Sequence, residues 1–137
     1  SHGSRSPQSR QEIDALASRL AAQAAAPTGS RSARPGTDGI QIFESAFLEI
    51  EKPSIPEGLA ACVRRGATRI TVLLNFLNSG RHVTEDIPRL VREFELVHPN
   101  VRCAITPCLG LAEGIDALYF DLIRKTGDEK SDHHPRN

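Results

Sequence analysis

Apolar residues along this chain recur in blocks, and the spacing within the blocks alternates between helical and extended. Behind Ser6-Pro7, the residues Ile13, Leu16 and Leu20 return every three or four positions, which puts them on one face of a helix predicted from Pro7 to about Ala25. Serine before proline suits that start: the hydroxyl can accept a first-turn amide, and proline at the first helical position gives up an amide that has no intrahelical partner. The segment 40–50, IQIFESAFLEI, predicts a strand with Ile40, Ile42, Ala46 and Leu48 on one face and Phe43 and Phe47 on the other. Pro56 then opens a helix with Leu59, Cys62 and Val63 inward, and Gly66 offers its C-terminal stop. Residues 69–77, RITVLLNFL, are apolar almost throughout and β-branched at Ile70, Thr71 and Val72, the pattern of a strand buried on both faces. Thr84 is placed to cap the next helix, with Glu85 and Asp86 in a first turn where carboxylates suit the helix dipole. Ile87, Leu90, Val91, Phe94 and Val97 keep helical spacing behind them. A strand over 101–106 is closed by Pro107, and a last helix from about Leu111 to Arg124 turns Ile115, Leu118, Tyr119 and Leu122 inward.

Helices alternating with near-continuous apolar strands specify an α/β fold, a doubly wound parallel sheet flanked by helices on both faces. The sequence leads with a helix where such a fold leads with a strand, usually a central one. A first strand of roughly five to eight apolar residues is therefore expected directly ahead of Ser1, and it is missing from the sequence as it stands. Residues 1–126 are expected to form a single α/β domain, with a mobile loop at 26–39 where Pro, Gly, Ser and Arg displace any apolar period. Residues 127–137 are expected to form a disordered polar tail.

Composition narrows the functional classes. Lys+Arg and Asp+Glu number 17 each, so there is no net charge to draw the chain to nucleic acid or to an acidic membrane. Aromatic residues at 4%, without Trp, offer no stacking surface for single-stranded nucleic acid. No apolar run reaches the length of a membrane span, and no signal-peptide pattern is present. Cys62, Cys103 and Cys108 are odd in number and lack CxxC spacing. Set in apolar stretches, they are expected to pack as small hydrophobes in a protein of the reducing cytoplasm.

Open α/β sheets bind ligands beyond the carboxyl ends of their strands. Three polar loops are predicted there: SHGSR at the head of the first helix, FLEIEKPS after the 40–50 strand, and NSGRHVTED after the 69–77 strand. They bring His2 with Arg5, Glu49 or Glu51, and His82 with Arg81 to one edge. Two imidazoles and a carboxylate suit a divalent metal such as Co, Fe, Ni or Zn, and they suit proton abstraction near neutral pH. Plain solvated histidines fit the same spacing, and phosphate binding at the SHGSR helix start is a further option. His98, before Pro99 at a helix end, reads as a cap on the dipole, and His133 and His134 read as solvated tail residues. Gly3 and Gly80 either admit a bulky flat ligand close to the backbone or serve ordinary turns.

HGSR leading into a helix, AFLEIEKPSIPEGL, FLNSGRHVTEDIP and TPCLG follow one another over about residues 1–124. In that order they resemble the small class II chelatases of tetrapyrrole synthesis, the CbiX and SirB type of sirohydrochlorin cobaltochelatase and ferrochelatase. Gly-Arg-His running into an acidic-Ile-Pro helix start is the most specific of the four. The resemblance implies a chelatase-like α/β fold and a lyase that inserts Co2+ or Fe2+ into sirohydrochlorin in cobalamin or sirohaem biosynthesis. It implies no permanently bound cofactor, the divalent metal being a substrate, and a cytoplasmic homodimer whose partners are the tetrapyrrole and the metal rather than nucleic acid or membrane. Carried over by residue, it makes His2, His82 and Glu49 catalytic, with Glu51 a weaker candidate for the carboxylate, and His2 and His82 the metal ligands. Arg5, Arg81, Gly3 and Gly80 become substrate-binding, the arginines facing the carboxylates of the macrocycle. CLGLAEG has no histidine where many relatives have one after the last strand, so no ligand is assigned from that loop. A non-catalytic carrier of metal or tetrapyrrole on the same fold is the competing reading.

Overall fold

Two strands, β1 (Arg69–Val72) and β2 (Arg102–Ile105), run parallel in the register Arg69↔Arg102 to Val72↔Ile105. They belong to a computed structural model that describes residues 6–25, 42–49 and 51–131. In chain order the helices are α1 (Pro7–Ala24), α2 (Ile55–Arg64), α3 (Ile87–Val97) and α4 (Ile115–Ser131). A π-helical turn, His82–Asp86, leads into α3, and a 3-10 turn, Leu109–Leu111, precedes α4. The crossover from β1 to β2 passes through α3, as parallel pairing requires. Pairing continues past the strands: the Leu109 amide donates to the Phe76 carbonyl at 2.7 Å and that of Gly110 to Leu77 at 2.9 Å. A Cβ on Gly110 would stand 2.3 Å from the Leu77 oxygen, so this approach needs glycine. On the outer side of β2, the Cys103 amide finds its acceptor in the Glu95 carboxylate of α3, at 2.8 Å, which occupies a donor that would otherwise invite another strand.

The core lies where α2 and α3 meet the sheet: Ile55, Leu59, Leu74, Phe76, Ile87, Val91, Phe94, Val101 and Cys108 form one buried cluster. α2 is sharply bounded. Ser54 and Glu57 exchange side chain-to-backbone hydrogen bonds in a capping box, and Lys52 sits 3.0 Å from the Glu57 carboxylate. That hydrogen-bonding set, led by the Ser54 amide, holds the Glu57 carboxyl below its usual range. At the other end Gly66 takes φ 96°, with its amide on the Val63 carbonyl and that of Ala67 on Cys62, the paired bonds of a Schellman stop. The predicted stop is thus confirmed. His98 caps α3 as predicted, its Nδ1 3.1 Å from the Phe94 carbonyl and its ring stacked on Phe94. The three cysteines are free thiols, with Cys108 buried and the other two half-buried. Desolvation, followed by nearby carboxylates, pushes the thiols of Cys62 and Cys103 up.

Several elements differ from the sequence pattern. Over 42–49 no ladder forms: Phe47 makes a single parallel bridge to Ser54, its amide donating to Pro53. No described strand runs beside this segment, and alternating side chains cannot create a strand without a neighbour to share backbone bonds. The segment packs instead against α2, where a Cβ on Gly58 would come within 2.8 Å of that of Ala46. β1 is shorter than 69–77 and is not covered on both faces: Leu74 and Phe76 are buried while Leu73 and Leu77 are exposed. Thr84 does not cap α3; it lies inside the π turn and its hydroxyl donates back to the Gly80 carbonyl at 3.1 Å. α4 starts later and ends later than predicted, at Ile115 and Ser131, its middle tied by Asp121 to Lys125 and Arg124. The bond to Lys125, above all, holds the Asp121 carboxyl low. Leu118, Tyr119 and Leu122 are about half exposed rather than inward. Among the described residues no helix is long and apolar enough to cross a membrane. The predicted loop at 26–39 lies outside the described residues; of the tail expected to be disordered over 127–137, residues 127–131 are instead the end of α4, and 132–137 lie outside the described residues.

Candidate functional site

His82 opens the π turn that follows β1. The turn is fixed at both ends. Gly80 offers its carbonyl to the amides of Val83 and Thr84 and to the Thr84 hydroxyl, while the Ile87 amide reaches back to the His82 carbonyl. Ile87 is 1% exposed, so the imidazole stands on a turn anchored in the core. π turns inside α-helices cluster at functional positions because the widened backbone re-aims side chains. Here it sets His82 and Asp86, four residues apart, with Nδ1 and Oδ2 2.7 Å from each other. The other ring nitrogen, Nε2, lies 3.5 Å from Glu49 Oε1, which comes from the segment ahead of α2. That separation is long for a hydrogen bond and within ion-pair range when the ring is protonated. Asp86 is held on its far side by Arg89, at 3.9 Å.

The two glutamates have different partners. Glu51 is engaged by Arg10, whose Nη1 sits 3.2 Å from the carboxylate and 2.6 Å from the Lys52 carbonyl, with the guanidinium over the Phe47 ring. Glu49 faces His82 and Glu51 does not. Arg10 thereby ties the first turn of α1 to the loop that carries Glu49. Arg81 is largely exposed beside His82 and paired loosely with Glu85 at 3.6 Å. A Cβ on Gly80 would meet nothing within 4 Å, so no contact within the described chain demands glycine there. His2, Gly3 and Arg5 lie outside the described residues.

Cys108 is buried with its Sγ 3.2 Å from the Ser79 hydroxyl, a packing position. Among the described residues no set of three His, Cys, Asp or Glu side chains is disposed to enclose a metal ion. Asp86 and Glu49 each stand beside one nitrogen of the His82 ring. Sequence reasoning assigned Asp86 only to the helix dipole. The signal it passed over was the His-x-x-x-Asp spacing, which puts both side chains on one side of a helical turn.

A family model described as CbiX matches residues 1–126. The sirohydrochlorin ferrochelatase of Bacillus subtilis (strain 168) is 28% identical over 126 residues, 92% of this chain and 43% of that protein. The sirohydrochlorin cobaltochelatase of Methanocaldococcus jannaschii is 33% identical over 97 residues, 71% of this chain and 58% of that protein. Among solved structures, the sirohydrochlorin chelatase SirB from Bacillus subtilis subspecies spizizenii, in complex with cobalt, superposes with a TM-score of 0.69 at 29% identity, covering 90% of this chain and 47% of that one. The chain spans less than two thirds of the length of each of these relatives. The superposition makes the fold a chelatase-like α/β fold. With the family model matching residues 1–126, nearly the whole chain, the chain belongs to the CbiX family.

Proposed function

We propose that this chain inserts a divalent metal, Co2+ or Fe2+, into sirohydrochlorin, as a lyase of cobalamin or sirohaem biosynthesis in the cytoplasm. The reaction exchanges one metal ion for the two pyrrole N–H protons of the macrocycle. It needs a group that holds the ion loosely and one that takes protons near neutral pH; an imidazole can do both. The observation that carries this reading is His82 held between two carboxylates on a turn anchored in the core. Its Nε2 is assigned to the metal; once the ion has passed to the ring, the freed lone pair takes one pyrrole proton, the other going to the second imidazole, and Glu49 stabilises the His82 imidazolium that results. His2 is assigned as the second imidazole. It is the histidine of HGSR, the segment that carries the resemblance at the head of α1, and stands four residues ahead of Ser6. Arg5 and Arg81 are assigned to the carboxylates of the macrocycle, and Gly3 and Gly80 to its close approach. The metal is a substrate and no permanent cofactor is assigned. Two copies pair in this reading, as the resemblance implies.

The test is an anaerobic absorbance assay of sirohydrochlorin with Co2+, Fe2+ and Ni2+. The chain is expected to insert the first two, and His82→Ala is expected to lower kcat by about 100-fold or more, the range for loss of a positioned acid or base. Macrocycle binding is expected to survive in the variant. A chain that binds the macrocycle and inserts no metal is a carrier and not an enzyme.

A further inference from the structure

We propose that Asp86 is a positioning residue: its carboxylate fixes the tautomer and the plane of the His82 ring, so that the Nε2 lone pair is the one turned toward Glu49. This deepens the metal-insertion reading and rests on it for the activity readout only. At 2.7 Å the Nδ1···Oδ2 contact has the length of a charge-assisted bond. Both neighbouring carboxylates can only accept, Asp86 at 2.7 Å from Nδ1 and Glu49 at 3.5 Å from Nε2; the shorter contact takes the single hydrogen of the neutral ring onto Nδ1 and leaves the lone pair on Nε2. Without such a partner, neutral imidazole favours the opposite tautomer, with hydrogen on Nε2 and no lone pair to offer a cation there.

The surroundings are arranged to keep the carboxylate in place. Arg89, one turn further on, lies 3.9 Å from Oδ1 while Oδ2 faces the ring, and Arg89 in turn reaches Glu93 at 3.4 Å. The bond from the Ile87 amide to the His82 carbonyl closes the π turn directly behind Asp86. Half-buried partners on a core-anchored turn lose little freedom when the bond forms, unlike an ordinary exposed pair on a helix. Carboxylates that hold the second nitrogen of a metal-binding histidine commonly contribute 10- to 100-fold in affinity or activity.

The experiment follows the ring itself. Long-range proton–nitrogen correlation spectra of the 15N-labelled full chain are recorded without metal at about pH 8, where an ordinary imidazole is neutral, and His82 is assigned by loss of its signals in His82→Ala. The wild-type ring is expected to carry hydrogen on Nδ1. In Asp86→Ala the majority form is expected to shift to hydrogen on Nε2, with kcat for insertion down about 10- to 100-fold and the KM for macrocycle within about twofold. Asp86→Asn, whose amide oxygen can still accept, is expected to fall between the two in both readouts. An Asp86→Ala ring still protonated on Nδ1, at any activity, overturns the proposal and leaves metal insertion untouched. A tautomer switch in a chain that inserts no metal even as wild type upholds the positioning role and overturns the metal-insertion reading instead.

Discussion

Helices α3 and α4 each follow a short turn, π-helical before α3 and 3-10 before α4, and both are rich in apolar residues; only α3 buries them. On α3, Ile87, Val91 and Phe94 are 1%, 3% and 7% exposed. On α4, Leu118, Tyr119, Phe120, Leu122 and Ile123 are all about half exposed or more. On α3 the apolar residues gather on one side, whereas on α4 they spread around more of the helix, and what faces the two helices differs as well. α3 has α2 and the sheet across from it, whereas among the described residues α4 has mainly the 3-10 turn from which it starts. Periodicity fixes which side of a helix is apolar. It does not supply the surface that takes that side out of water, and only that removal stabilises the fold.

The comparison breaks most sharply at Phe94. Truncation of this side chain to alanine removes a ring packed among Val91, Val101 and the His98 imidazole, and is expected to cost about 3–5 kcal/mol in chemical denaturation. A cost below 1 kcal/mol would mean that the α3 face is no better packed than that of α4. Gly110→Ala comes next. It puts a methyl into the Leu77 carbonyl at the turn that ties α4 to the end of β1, where backbone rather than a flexible side chain would have to give. Overpacking of this kind is expected to destabilise by about 1–3 kcal/mol. The amide of residue 110 should lose its protection from hydrogen exchange, because its bond to Leu77 is the one displaced.

The same contrast explains which parts of the molecule were legible from residues alone. Helix starts and stops depend on near neighbours, so α1 begins at Pro7 and Gly66 ends α2 as the sequence indicates. The capping box at Ser54 was equally local, and its Ser-x-x-Glu spacing was there to be read. Residues 42–49 were legible as alternating but not as unpaired, because a strand is a property of two segments. At the site, His82 and Glu49 could be expected on one edge from the rule that ligands gather beyond strand ends, and the structure brings their side chains together. The π turn could not be foreseen. It arises because the Gly80 carbonyl takes both the Val83 and the Thr84 amides while Ile87 is drawn into the core, a compromise between loop and packing that no local pattern expresses. Asp86 was therefore read as a charge on a helix dipole when its partner is a ring four residues earlier.

The smallest expected effect tests the other half of the comparison. Leu118→Ala removes a side chain that is already 50% exposed, and Leu122→Ala one that is 53% exposed. Neither leaves a cavity, so each is expected to change the stability of the dilute, monomeric chain by less than about 0.5 kcal/mol. The alanine also slightly favours the helix, which offsets part of the lost contact. Chemical denaturation at several protein concentrations checks this. Should either substitution cost 2 kcal/mol or more, or should the cost grow with concentration, the face is covered in solution. α4 would then belong with α3 as a packed element, its partner being a surface outside the described residues or a second copy. An effect below 0.5 kcal/mol at every concentration keeps the two helices distinct. The stability of the chain is then carried by the cluster around Ile87, Val91 and Phe94, the same cluster on which the His82 turn is anchored.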